Sequence, residues 1–264
     1  MKGKAGCGLA PRLLAGTVVW LAVLAPAIAD AAAASSPFDA PLKVVRVPLP
    51  RDPGIPKSRP KISCFYYPRF MVKEIDLGEV GAEQLSILPT PGGSAKTECR
   101  QANSPGEHVV DPKNWSGYVE GVKGDYVIFS ADDGWNGGMG FAVYGAASGK
   151  KLFDDAVKSR LQSLAATPTS LTLRYLRTYS AKCSIDADAA GCWRQIRQAT
   201  GLSSAAPPDC AALYAREARR TPKDAAQVRA DPTVIDYPVT VMIQAGGATI
   251  AAASGKAAGC RPAD

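Results

Sequence analysis

Seven cysteines constrain this chain more than any other feature, because their number becomes even once its leading segment is removed. Lys2, Lys4 and Arg12 give that segment a positive start without an acidic neighbour. Residues 13–28 then form an apolar run of 16 residues, broken by Pro26 and closed by Ala27-Ile28-Ala29. A positive head, a short apolar core and a small-x-small exit are the parts of a cleaved export signal. Residues 1–29 are read as a signal peptide on that pattern. The run falls short of the ~20 uninterrupted apolar residues that a spanning helix needs, so no transmembrane anchor is expected after cleavage. Cys7 precedes the apolar core, where a lipid-bearing cysteine would follow it, and it leaves with the signal.

Cys64, Cys99, Cys183, Cys192, Cys210 and Cys260 remain. An even set in an exported chain predicts three disulfides. Zinc would need closely spaced ligand pairs, and the chain has no C-x-x-C and a single histidine, His108. Cys64 and Cys99 bracket the first strands and are expected to pair. Cys183 and Cys192 are separated by an eight-residue gap that is easily closed. Six cysteines allow 15 pairings, among which sequence alone does not choose; the third pair expected is Cys210–Cys260, tying the tail to the body. Disulfide cysteines have no free thiolate, which removes them as nucleophiles.

Three of the 31 Lys+Arg leave with the signal, so 28 basic residues against 24 acidic ones give a net charge of +4. Without a dense basic run, no nucleic-acid partner is expected. The remaining length suffices for one large core or two small ones.

Residues 30–60 read as a Pro-rich linker. Seven prolines between 35 and 60 fix φ and remove amide donors, which favours an extended, solvated segment. Val44, Val45 and Val47 allow a short edge strand. Residues 61–155 read as a β-rich part with strands near 70–77, 84–88, 117–122, 126–131 and 140–144, separated by Gly and Pro. Lys123-Gly124 is placed to turn one of them onto the next. Within 126–153, an apolar strand, Asp133-Gly134, Phe141-Ala142-Val143-Tyr144 and Ala147-Ser148-Gly149-Lys150 follow in order. This piece resembles one repeat of a quinoprotein-type β-propeller. It does not recur, so the resemblance implies a hairpin and no propeller. Val157, Leu161 and Leu164 suit one or two helical turns.

Residues 156–264 read as a strand-helices-hairpin part, which can be continuous with 61–155. Alternation through 171–183 predicts a strand with one face on a core. Asp188 and Gly201 bound a helix over 189–200. A second helix follows Asp209, with Arg216, Arg219 and Arg220 at its negative end. Thr221-Pro222-Lys223-Asp224 starts a third. Ile235, Tyr237, Val239, Val241 and Ile243 return the chain to sheet, with Pro238 arguing for an edge position. A turn at Ala245-Gly246-Gly247 leads into a last strand near 248–253. The fold class expected is α+β: an antiparallel β-sheet with three short helices in the C-terminal half, stapled by disulfides.

The loop 130–140 holds four glycines in eleven residues and is the leading binding-loop candidate. Asp132, Asp133 and Asn136 offer hard oxygens for calcium, and Trp135 offers a stacking face for a sugar or peptide. Asp and Asn also stabilise turns through local amides, and the spacing departs from the D-x-[DN]-x-[DN]-G calcium loop. Asp186-Ala187-Asp188 is a second, thinner metal candidate, half explained by capping. His108 has no G-x-S-x-G elbow to serve, so no serine-hydrolase site is expected. No cofactor is expected, with calcium kept as the minor alternative. These readings lead to an expected periplasmic or secreted binding or interaction protein with an envelope or extracellular partner. The alternative is an envelope-polymer hydrolase working through dispersed carboxylates such as Asp132 and Asp133.

Overall fold

A computed structural model describes residues 36–244, 247–252 and 259–263. The predicted signal peptide, Cys7, the first residues of the linker, and Ala245, Gly246 and Ala253 lie outside the described residues. Alternating apolar residues build two antiparallel sheets. The first runs β1 (Lys43–Pro48), β2 (Lys61–Tyr66), β3 (Phe70–Asp76), β4 (Gln84–Pro89) and β5 (His108–Val109), in that spatial order.

The second sheet contains β6 (Tyr118–Lys123), β7 (Tyr126–Trp135), β8 (Gly138–Gly145), β9 (Lys151–Val157) and β10 (Ser163–Ala166). It continues with β11 (Ser170–Ser180), β12 (Thr233–Gln244), β13 (Gly247–Ala252) and β14 (Gly259–Pro262). Its order is β13-β12-β11-β9-β8-β7-β6, with β10 beside β11 and β14 beside β12. Strands from both sides of residue 155 therefore share one sheet. Three helices, α1 (Ala189–Thr200), α2 (Ala211–Arg220) and α3 (Ala225–Ala230), lie between β11 and β12. The fold is α+β, mostly strand, with its described helices in the C-terminal half.

Successive side chains of a strand point to opposite faces, and β7 and β8 use both. Val127, Phe129, Ala142 and Tyr144 meet Phe70, Val72, Leu85 and Ile87 of the first sheet. Tyr126, Ile128, Phe141 and Val143 face the larger core with Leu173, Tyr175, Tyr237 and the helix residues Trp193 and Ile196. The second sheet curls around that core, bringing β13 against β9 and β10 against β6. A polar group sits inside it: Arg177 Nε donates to Asp155 at 2.9 Å and Arg177 Nη1 to the Tyr237 hydroxyl at 3.2 Å. The Tyr175 hydroxyl also donates to Asp155, and burial first, then that carboxylate, pushes its pKa far up.

The outer face of the first sheet carries a third cluster: Ile62, Cys64, Tyr66, Met71, Ile75 and Leu88. Cys64–Cys99 pins the chain after β4 to it. The other bridges are Cys183–Cys192 and Cys210–Cys260, so the three pairs are those expected. Closing a loop as long as the last, with a separation of 50 residues, stabilises by about 4 kcal/mol in the chain-entropy account.

Val45 and Val47 pack on the third cluster from β1, the short edge strand expected there. Two other local expectations take a different form. Val157, Leu161 and Leu164 are buried in the larger core, but from strand ends and a connection, not from a helix. Pro238 is not on an edge. β12 has β11 on one side and, on the other, β14 opposite residues 233–236 and β13 opposite 239–244. Pro238 occupies the gap between them, where its missing amide costs no ladder bond.

Candidate functional site

The loop singled out in the sequence is the far end of the β7–β8 hairpin. Trp135 pairs with Gly138, which leaves Asn136-Gly137 as a two-residue turn. Their φ angles, 49° and 67°, both lie in the left-handed region, where Asn-Gly is the favoured pair for a hairpin turn. Asn136, a predicted oxygen ligand, is thus used first as a turn former.

This turn does not project freely. Asn136 is buried, its Nδ2 donates to Ser180 Oγ at 2.8 Å, and its carbonyl accepts from Arg261 Nη2 on β14. The same guanidinium donates through Nη1 to Asp236 at 2.5 Å. Thr178 donates to the other carboxylate oxygen, Asp236 Oδ1, at 2.9 Å, and the Lys158 ammonium lies 3.4 Å from Oδ2, the oxygen that Arg261 holds. Gly138 allows the close approach: a Cβ there would stand 2.8 Å from Thr178 Cβ. The tip is therefore clamped to β11, β12 and β14 by an ionic seat.

Trp135, the residue before the clamped turn, is 76% exposed. Asp133 is exposed and accepts the Gly134 amide at 2.7 Å, a local turn bond. Asp132 takes Ser116 Oγ at 3.4 Å and lies against the Gly78–Ala82 connection, where a Cβ at Gly81 would meet its carboxylate at 3.2 Å. Between Ser130 and Gly134 the ladder shifts register, so Asp132 and Asp133 sit on an irregular stretch. The four candidates thus share one hairpin but divide by role: Asn136 turns inward, while Asp132, Asp133 and Trp135 stay outside. Among the described residues, no group of three His, Cys, Asp or Glu side chains is placed to hold a metal ion.

The other candidates have structural partners. Asp186 pairs with Arg229 at 3.1 Å, and Asp188 caps α1 by accepting Gly191 N at 2.9 Å. His108 lies in β5 with Gly149 packed on it; a Cβ at Gly149 would meet the His108 side chain at 2.3 Å. The seat made by Lys158, Thr178, Ser180, Asp236 and Arg261 was not foreseen. Its members come from four separate stretches of chain and carry no local pattern.

Comparison with protein-family models, with curated proteins and with solved structures returned no match.

Proposed function

We propose that this protein is an exported, non-catalytic binding protein of the periplasm or extracellular space, and that the β7–β8 hairpin is its recognition element. One observation carries the reading: Trp135 is exposed on a turn whose next residue is buried and held on several sides. An indole in solvent gains from being covered by a sugar ring or an apolar peptide side chain. Holding it on a fixed scaffold reduces the ordering cost of binding. Asp132 and Asp133 beside it supply acceptors for hydroxyl or amide donors on the partner. The three disulfides support an oxidising compartment. No helix among the described residues is long and apolar enough to cross a membrane.

The hydrolase alternative needs an acid and a base on either side of a bond, and no observation among the described residues favours it. The test is retention on immobilised envelope extract, wild type against Trp135→Ala and Asp132→Ala. A buried aromatic anchor is worth at least about 2 kcal/mol, so Trp135→Ala is expected to weaken retention about 30-fold. Equal retention of all three proteins would reduce the hairpin to a turn and end this reading.

A further inference from the structure

A second feature lies away from the hairpin, where β1 ends and the proline-rich chain folds back toward β2. A cleft of 270 Å³ is lined there by Pro48, Leu49 and Pro60 together with Arg46, Arg51, Arg59 and Lys61. Pro48 stands opposite Lys61 and Arg46 opposite Ser63 in the β1–β2 ladder, so Arg46, Pro48 and Lys61 share one face.

The connection that brings Arg51 and Arg59 to the cleft is ordered by its own bonds. Leu49 N donates to Pro60 O at 2.9 Å, Ile55 N to Asp52 O at 3.0 Å, and Ser58 N to Ile55 O at 3.0 Å. Ser58 is buried against Gly78, where a Cβ would come within 2.4 Å of its side chain. Pro50, Pro53, Pro56 and Pro60 fix φ at four further points. The cleft is therefore formed before anything binds, which lowers the ordering cost of a ligand.

Its charge is unbalanced. Lys61 has Asp76 at 2.5 Å. Among the described residues, Arg46, Arg51 and Arg59 have no acidic side chain within ion-pair distance. Glu74 feels Arg46 and Lys61, but its carboxylate is bonded to Val119 N at 2.8 Å. Like charges gathered around one hollow repel each other, and an anion between them relieves that repulsion. Guanidinium forks match tetrahedral oxyanions through paired N–H bonds, and the C–H surface of the lining prolines and Leu49 suits the uncharged body of a sugar.

We infer that this cleft binds the oxyanion of a phosphate or sulfate ester, carried on a saccharide. The site is separate from the Trp135 hairpin and does not depend on its role. The probes are dextran sulfate, unmodified dextran and inorganic phosphate, titrated calorimetrically against the full mature protein. Dextran sulfate is expected to bind through Arg46 and Arg59, and unmodified dextran not to bind there. Loss of two charge-assisted contacts in Arg46→Ala/Arg59→Ala is expected to weaken dextran sulfate binding at least about tenfold. The charge-matched control Arg216→Ala/Arg219→Ala, on the exposed side of α2, is expected to stay within about twofold of wild type. Inorganic phosphate competing for the same arginines would identify the free ion as a sufficient ligand, and dextran sulfate binding alone would assign the site to the polymer. Equal losses in both double variants, or no binding of either anion, overturns the inference and leaves the arginines as charges that keep the β1 edge solvated.

Discussion

The Lys73 ammonium lies 2.7 Å from the Glu107 carboxylate, and the two side chains are 2% and 1% exposed. Ser86 Oγ and the Ser104 amide also donate to Glu107, while Lys73 reaches Asn103 Oδ1 at 3.3 Å. An ion pair this dry holds the chain between β4 and β5 onto the sheet. Removing one partner strands the other charge out of water, so Lys73→Met is expected to cost about 3–5 kcal/mol. Lys73→Met/Glu107→Leu removes both charges and is expected to cost clearly less. Urea denaturation of wild type, Lys73→Met, Glu107→Leu and the double variant measures the coupling; a double variant whose cost equals the sum of the two single costs would show that the pair is not coupled.

The same group predicts how stability responds to acid. Burial pushes the Glu107 carboxyl up, but bonds from Lys73, Ser86 and the Ser104 amide together outweigh it and hold its pKa below the ordinary 4.5. A carboxyl depressed by folding contributes stability that is complete above its unfolded pKa and is lost as pH falls through the folded one. Wild type is therefore expected to lose stability more steeply than the double variant below the ordinary carboxylate range. Urea midpoints collected across acid pH give the comparison, and parallel curves would contradict it.

Glu74 behaves in the opposite sense. Burial raises its pKa, countered in part by the Val119 amide, Lys61 and Arg46. Its acceptor role has a local cause: β6 shifts register between Val119 and Gly121, and Glu74 takes the Val119 N–H from across the two sheets. Glu74→Gln keeps an acceptor and removes a buried charge. A carboxyl raised by folding loses its stabilising contribution as pH rises through the folded pKa, so the Gln variant should match or exceed wild type at neutral pH. Glu74→Leu leaves the amide unpaired and should cost about 1–3 kcal/mol. Thermal melts of both variants at neutral pH decide it; equal destabilisation would assign the role to the charge and not to the acceptor.

The sequence made the fold legible where a rule acts within a few residues. Alternation through Leu171, Leu173 and Tyr175, and through Ile235 to Ile243, marked β11 and β12, and the cap at Asp188 and stop at Gly201 bounded α1. It was silent where a partner decides. Ser163–Ala166 is a strand because β11 offers it an edge, and apolar spacing from Val157 to Leu164 mimics a helix. Pro238 misled because β14, which carries no strand signal of its own, shares one side of β12 with the expected β13. For the candidate site, the residues of the hairpin were readable but their orientation was not. Asn136 is held inward by Ser180, 44 residues away, through its side chain and by Arg261, 125 residues away, through its carbonyl.

That separation has a bearing on the order in which the molecule is assembled. A chain is made from its N-terminal end, and the β7–β8 hairpin can form locally within microseconds of its emergence. Its latch on β14 is delivered only later, after β11, the helices and β12 have followed. The indole-bearing turn should accordingly spend the interval unseated, settling into its final pose as one of the concluding events of maturation.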